Sequence, residues 1–387
     1  MQILGKRHIH NKNYRKFKFE DIAFSISERV EPKETALEIY IGLEHLDSDS
    51  IHIKRYGTPS DVEGTKLKVY PGDLIFGKRR AYQRKAAIAN FEGICSAHTM
   101  VLRANPEVIL PELFPFFIHS DQFMHRAIDI SVGSLSPTIN WGTLKTQEFL
   151  LPPKDQQAKL AELLWAGDTA IERNISLRNV LKITLTSFCE SEFQKSNTTK
   201  KLGELGTFHK GKGIAKSELT PNGIPCVRYG ELYTKHNFVV RNYYSFISKE
   251  VAANSFRVFR NDILFAGSGE TISEIGKSAA IMDTTEAYAG SDIIVFRPHG
   301  MNGIFLGNIL NSRSVRAQLN SLGKGATIAH IYANDLKNVQ INCFDVKQQN
   351  KLADRIELIN SNIQKQDEFI AKLREIQKQL INQIFRA

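Results

Sequence analysis

The sequence predicts an α+β protein: two tandem mixed α/β domains, each followed by a long helix, with the two helices paired as an antiparallel coiled coil about a pseudo-two-fold axis. Three observations carry that expectation. They are an internal duplication, two proline-free amphipathic stretches of about forty residues, and short apolar runs set between Gly, Asn, Asp and Pro.

Residues 133–193 align with residues 325–385 without a gap, at a constant offset of 192 in a chain of 387. Gly133 matches Gly325, Ile139 matches Ile331, Leu144 and Lys145 match Leu336 and Lys337, and Gln156 and Gln157 match Gln348 and Gln349. Ile171, Leu181 and Phe193 fall on Ile363, Leu373 and Phe385. Solenoid units repeat every ~20 to ~50 residues, so a repeat of this length must hold a whole domain in each half. The expected plan is a first domain over residues 1–151, a central helix over 152–195, a second domain over 196–343 and a C-terminal helix over 344–387.

Composition bounds the partners. A net charge of +10 makes a polyanion plausible, because clustered Lys and Arg gain affinity by releasing phosphate counterions. No apolar run reaches the ~18 residues of a membrane span and residues 1–18 lack a signal-peptide core, so a cytoplasmic protein with no membrane contact is expected. The four scattered cysteines contain no CxxC pair, which excludes a disulfide framework and a zinc site from the expectation. They should be reduced and structural.

Pro152 and Pro153 mark the start of the first helical stretch, and residues 196–199 (SNTT) its end. The second stretch places Leu352, Ile356, Ile359, Ile363, Gln366, Ile370, Leu373, Gln377, Leu380 and Ile384 at alternating spacings of four and three, the a/d seam of a coiled coil. The first puts Leu160, Leu164, Gly167, Ile171, Asn174, Arg178, Leu181, Leu185, Phe188 and Glu192 on the same register. Each helix should extend ~60 Å at 1.5 Å per residue. Antiparallel pairing would set Asn174 opposite Gln366, where the two amides could satisfy each other.

The domains share landmarks. Gly42 corresponds to Gly230, residues 71–76 (PGDLIF) to 260–265 (RNDILF), and residues 99–103 to 293–297. Helical patterns intervene at 110–130 and 304–322, so each domain reads as mixed α and β with a mostly irregular sheet.

Candidate contacts follow the DLIF and DILF strands. The first strand leads into Lys78, Arg79, Arg80, Tyr82, Arg84 and Lys85, five basic residues within eight positions around a tyrosine. Arg contacts guanine edges and phosphates bidentately and Lys acts as a point charge, which suits nucleic acid. The second strand leads into a small, polar loop with Ser268 and Thr271, so the two loops cannot read the same target. The candidates of the second domain lie elsewhere, at the basic Lys210, Lys212, Lys216 and Arg228 and at Tyr229, among glycines that would let backbone approach a phosphate.

Catalytic motifs are incomplete. Residues 206–213 (GTFHKGKG) and 271–278 (TISEIGKS) each miss one defining position of a P-loop, and no GxSxG, HExxH or adenine-methyltransferase motif occurs. The HIH at residues 8–10 is read as part of a basic tail and not as a metal site. The chain thus reads as a binder without a catalytic centre. Another dyad scaffold for RNA or DNA and a stand-alone nuclease are the alternatives.

The stretches LPPKDQQAKLAELL (151–164), SVGSLSPTINWGTLKTQEF (131–149), PGDLIFGKRRAY (71–82) and GKGIAKSEL (211–219), with the duplicated plan of domain and helix, resemble the specificity subunit of Type I restriction-modification systems. The resemblance implies two target recognition domains reading a bipartite double-stranded DNA site, spaced by the coiled coil. It also implies that Leu160, Leu164, Ile171, Asn174, Leu181, Leu352, Ile356, Ile363, Gln366 and Leu373 form the helix pair to which two modification subunits, and through them restriction subunits, dock. By the same resemblance this chain carries no cofactor, and S-adenosylmethionine, magnesium and ATP belong to those partners.

Overall fold

The computed structural model describes residues 13–269, 275–323 and 329–386. It divides into two compact units, one comprising Met1–Ile175 with Glu368–Ala387 and the other Ser176–Asp367. The division falls inside the long helices, which run over Lys154–Phe193 and Val346–Ile384. Each unit therefore combines one domain with the start of one long helix and the end of the other.

In the first unit, a four-stranded antiparallel sheet runs in the order Ala23–Ile26, Thr99–Ala104, Leu74–Gly77, Ala86–Ile88. A second sheet runs Arg29–Val30, Lys66–Val69, Gly93–Cys95, Tyr40–Ile41, its last pair parallel. Every residue of Leu74–Gly77 is buried, as a continuous apolar run covered on both faces must be. The helices Phe114–His119 and Asp121–Asp129 close one side. Their Phe117 and Phe123 join Phe19, Phe76 and Phe149 in an aromatic core with ring centroids 5.4–5.8 Å apart.

The second unit repeats the scheme with five strands per sheet. One sheet runs Gly206–Lys210, Ile293–Pro298, Ile263–Ala266, Ser278–Ile281, Phe238–Val240; the other runs Leu219–Thr220, Ser245–Ile247, Ile224–Val227, Ala287–Ala289, Phe256–Val258. Both sheets are mixed, antiparallel except for the parallel pairs of Ile224–Val227 with Ala287–Ala289 and of Phe238–Val240 with Ser278–Ile281. Strands of two to six residues leave too little sequence for a visible period of two, whereas their pairing is set by neighbours distant in the chain.

The retained residues of the duplication turn out to be structural. Gln157, buried at the start of the first long helix, accepts from Leu110 N at 2.8 Å and donates to the carbonyls of Val108 and Pro152 at 2.9 and 3.0 Å. Its counterpart Gln349 accepts from Asn302 N at 3.0 Å and donates to Phe344 O at 2.8 Å. Each glutamine ties its helix to two chain segments that would otherwise leave buried polar groups unmatched. Phe193 packs edge-on to Phe305 in the second unit, and Phe385 packs on Phe117 at 5.4 Å in the first.

The helix segments pair antiparallel within each unit. In the first unit, Leu160 and Leu164 meet Leu380, Ile381 and Ile384, while Ile171 and Ile175 meet Ile370 and Leu373. In the second unit, Leu185, Phe188 and Phe193 share a core with Leu352 and Ile356; Ile363 is buried and Leu181 half-buried. Arg178, an awkward charge on an apolar seam, pairs with Asp367 at 3.2 Å. Asn174 donates to Ala170 O, four residues back on its own helix, at 2.7 Å, and Gln366 Oε1 is buried without a hydrogen-bond partner. A short Asn side chain reaches its own helical carbonyl more readily than a partner across a seam.

Gly167 is the single glycine of the two long helices, and a methyl group added there would meet no atom within 4 Å. Gly167→Ala should stabilise the chain by about 0.5 to 1 kcal/mol through helix propensity alone. Chemical denaturation checks this, and a destabilised variant would contradict the open surroundings.

Candidate nucleic-acid interface

The loop after the first buried strand is built by burial and strain. Asp73, fully buried, accepts from Tyr70 N at 3.0 Å and takes both arms of Arg103 at 2.7 and 3.0 Å, fixing the turn that launches the strand. The second unit repeats the device with Asp262, Phe259 N and Arg297. Beyond Gly77 the chain makes a short turn over Ala81–Gln83, flanked by Arg80 and Arg84 in the left-handed region at φ 59° and 52°. Two such non-glycine residues cost of order 1 kcal/mol each and persist because the surroundings hold them.

That turn sorts the basic residues. Ala81 plugs into the core, while Arg80 and Tyr82 face outward, the latter 53% exposed. Arg79 and Arg80 both approach Ser136 Oγ at 3.3 Å, and Lys78 is half-buried beside them. Arg84 turns inward to Asp49 at 2.6 Å, Asp121 at 2.9 Å and the carbonyl of His119. Lys85 caps Leu43 O at 2.6 Å. Arg80 and Tyr82 therefore form the outward pair, with Lys78 and Arg79 half-buried beside them, whereas Arg84 and Lys85 hold the loop down. Their neutralisation by carboxylates and carbonyls could not be read from a cluster of like charges.

One component escaped the sequence reading. Residues 131–138 fold against the basic loop: Arg80 N donates to Pro137 O at 2.7 Å, Ile139 N donates to Lys78 O at 3.0 Å, and Arg79 bridges Thr138. In the second unit Ile331 N donates to Gly267 O at 3.0 Å, and Ser268–Gly269 pairs with Ala329–His330. Thr138 and His330 are equivalent in the duplication, as are Ile139 and Ile331.

The second unit's candidates lie on one face in part. Ser268 Oγ bonds His330 Nδ1 at 3.0 Å, and the Tyr233 hydroxyl donates to Ser268 O. Tyr229 meets Tyr233 edge-on at 6.3 Å. Arg228 and Tyr229 line a cleft of about 310 Å³ with Gly213, Ile214, Glu218 and Asp292. Lys210, Lys212 and Lys216 are exposed around the same chain segment. Gly211 is required by packing, since a side chain there would lie 1.9 Å from Gly290 O, while Gly213 is exposed in the left-handed region at φ 67°. Thr271 and the HIH at residues 8–10 lie outside the described residues.

No group of three potential metal ligands occurs among the described residues. Burial pushes the thiols of Cys95, Cys189 and Cys226 up to about 12, so they remain protonated and unreactive.

The loop carrying Asp47 to Lys54 is fastened to the first long helix by His52 Nε2 on Asp168 at 2.7 Å and Lys54 on Glu172 at 2.7 Å. The Asp168 hydrogen bond raises the His52 pKa above its ordinary 6.5.

The sequence profile of the Type I restriction modification DNA specificity domain matches this chain twice, over residues 12–182 and 194–384. The chain belongs to that family. It is similar to the Type I restriction enzyme EcoDI specificity subunit of Escherichia coli, 25% identical over 169 residues, a match spanning 42% of this chain and 37% of that protein. The chain thus spans well under half the length of this curated relative. Its fold resembles the S subunit of a Type I restriction-modification system from M. genitalium, with a TM-score of 0.58 and 14% identity over 100% of this chain and 98% of that one. It also resembles a chain from a type I R-M system studied for complex assembly and conformational transition, with a TM-score of 0.61 and 18% identity over 97% and 98%.

Two outcomes follow from this geometry. Arg84→Ala should lower thermal stability, because it strands two carboxylates, while Arg80→Ala should leave the melting temperature unchanged and act only on ligand binding; differential scanning fluorimetry separates them. Since the His52 pKa is raised on folding, the ionic part of its pairing is present below the unfolded value and fades as pH rises through the folded one. The stability lost in His52→Gln should therefore be larger at about pH 6 than at about pH 9. A gap independent of pH would remove the ionic contribution.

Proposed function

We propose that this chain is the DNA-recognition subunit of a Type I restriction-modification complex and itself performs no catalysis. The observation that carries this reading is the same device built twice with different chemistry. A loop leaving a buried strand is pinned to the segment returning toward the long helix, with Arg79 on Thr138 in one unit and Ser268 on His330 in the other. Equal frames carrying unequal side chains suit a target made of two different half-sites. Arg79 and Arg80 have the donors to contact a guanine edge or phosphate, and Tyr82 can stack or hydrogen-bond beside them.

The two helices, of 40 and 39 residues, would set the unspecified spacer between half-sites. Apolar side chains left on their water-facing surfaces support docking of modification subunits: Leu163, Phe369 and Ile376 in the first unit, and Leu177, Val180, Ile183 and Leu358 in the second. S-adenosylmethionine, magnesium and ATP would be bound by those modification subunits and the restriction subunits they recruit. Working on double-stranded DNA, the complex would be cytoplasmic. Among the described residues no helix is long and apolar enough to cross a membrane.

Sequencing methylated adenines in a host that carries this chain and its modification partner tests the reading. The expected result is one bipartite motif with a constant spacer. Arg80→Ala should relax one half-site only, at roughly 1 to 3 kcal/mol per lost base contact, and removing seven residues from each helix should change the accepted spacer. A continuous motif, or none, contradicts the proposal.

A further inference from the structure

The side chain most out of place on the surface is Leu135, 90% exposed, with Val132 at 73% nearby. A single exposed leucine is ordinary. Its mounting is not. Residues 132–138 form a tight loop closed by Val132 N on Thr138 O at 3.0 Å and Thr138 N on Val132 O at 2.9 Å. Thr138 Oγ1 adds a bond to Ser136 O at 3.1 Å, and Gly133 takes φ 118°, a conformation glycine adopts without strain. The loop is bolted to the basic segment by Arg80 N on Pro137 O. Ser136, which precedes Pro137 and follows Leu135, has both Arg79 and Arg80 at 3.3 Å. An apolar side chain is thus held at the tip of a closed loop, next in sequence to a serine that two guanidinium groups approach, Arg80 exposed and Arg79 half-buried with a further contact to His98 at 3.4 Å.

The charge around Leu135 says what covers it. A protein surface apolar enough to bury the leucine would have to desolvate Arg79 and Arg80 without compensation. A duplex supplies phosphates for the arginines and, between its base pairs, an apolar space of suitable size. We propose that Leu135 is a wedge that enters between two adjacent base pairs of the DNA held by the first unit, opening the stack next to the bases that Arg79 and Arg80 contact. This rests on the reading of the chain as a DNA-recognition subunit. The leucine forms no hydrogen bond, so it adds specificity through the ease of unstacking, favouring flexible pyrimidine–purine steps at a position no polar group reads.

The test uses the full chain with its modification partner on duplexes carrying the mapped site, with 2-aminopurine placed in turn at each position of the half-site relaxed by Arg80→Ala. The wild-type complex should raise fluorescence several-fold at one step. Leu135→Ala should abolish the rise and weaken binding about tenfold without altering its salt dependence, and Leu135→Met should retain both properties. An abasic nucleotide at that step should restore the binding of Leu135→Ala. Because the side chain is exposed, all variants should melt with the wild type. Equal fluorescence for wild type and Leu135→Ala, or a wild-type complex that binds its site with every position stacked, overturns the wedge alone. Loss of the modification partner on Leu135→Ala, with DNA binding intact, would reassign the leucine to a protein contact and also overturn it. A wild-type complex without any site preference would sink the DNA-recognition reading itself.

Discussion

The structure depends on where the long helices end. Phe385, in the last turn of the chain, packs on Phe117 inside the aromatic core of the first unit, while Phe193 packs on Phe305 in the second. Asn382 reinforces the first of these with its amide on Asp121, which in turn holds Arg84 and thereby the basic loop. The first recognition loop is therefore supported, through three residues, by the C-terminal helix. A domain arranged this way cannot complete its core until the second long helix and Phe385 have been made, because a large buried aromatic contributes several kcal/mol that no local residue replaces.

The duplication separates into what the frame needs and what the reader varies. Gln157 with Gln349, Phe193 with Phe385 and Ile139 with Ile331 keep their identity because each fills a buried position whose hydrogen bonds or volume admit little change. The loops they support meet solvent, where substitution costs little stability. Arg79 and Ser268 can thus occupy equivalent backbone positions with opposite chemistry. Strain is spent there too, in the left-handed Arg80 and Arg84.

Much of the fold was legible in the sequence. Helix limits followed from the absence of proline, the seam from its alternating spacing, and the order of elements from Gly, Asp and Asn between apolar runs. The strand order of the sheets was hidden because strands this short carry no period. At the site, a cluster of like charges could not be divided. Arg80 and Tyr82 point outward while Arg84 and Lys85 are consumed by Asp49, Asp121 and a carbonyl, partners that lie at least 35 residues away in the chain. The loop over residues 131–138 went unrecognised for the same reason, since its place depends on what it returns to.

By itself, the sequence determined the duplication, the two helices, the basic loop and the family resemblance, because these rest on periodicity and on local composition. Only the tertiary structure decided which charges are paired, that Asn174 turns to its own helix, that the retained glutamines are clamps, and that Leu135 stands exposed beside the Ser136 hydroxyl that Arg79 and Arg80 both approach. Those outcomes are settled by contacts between distant residues, whose distances and desolvation no local pattern encodes.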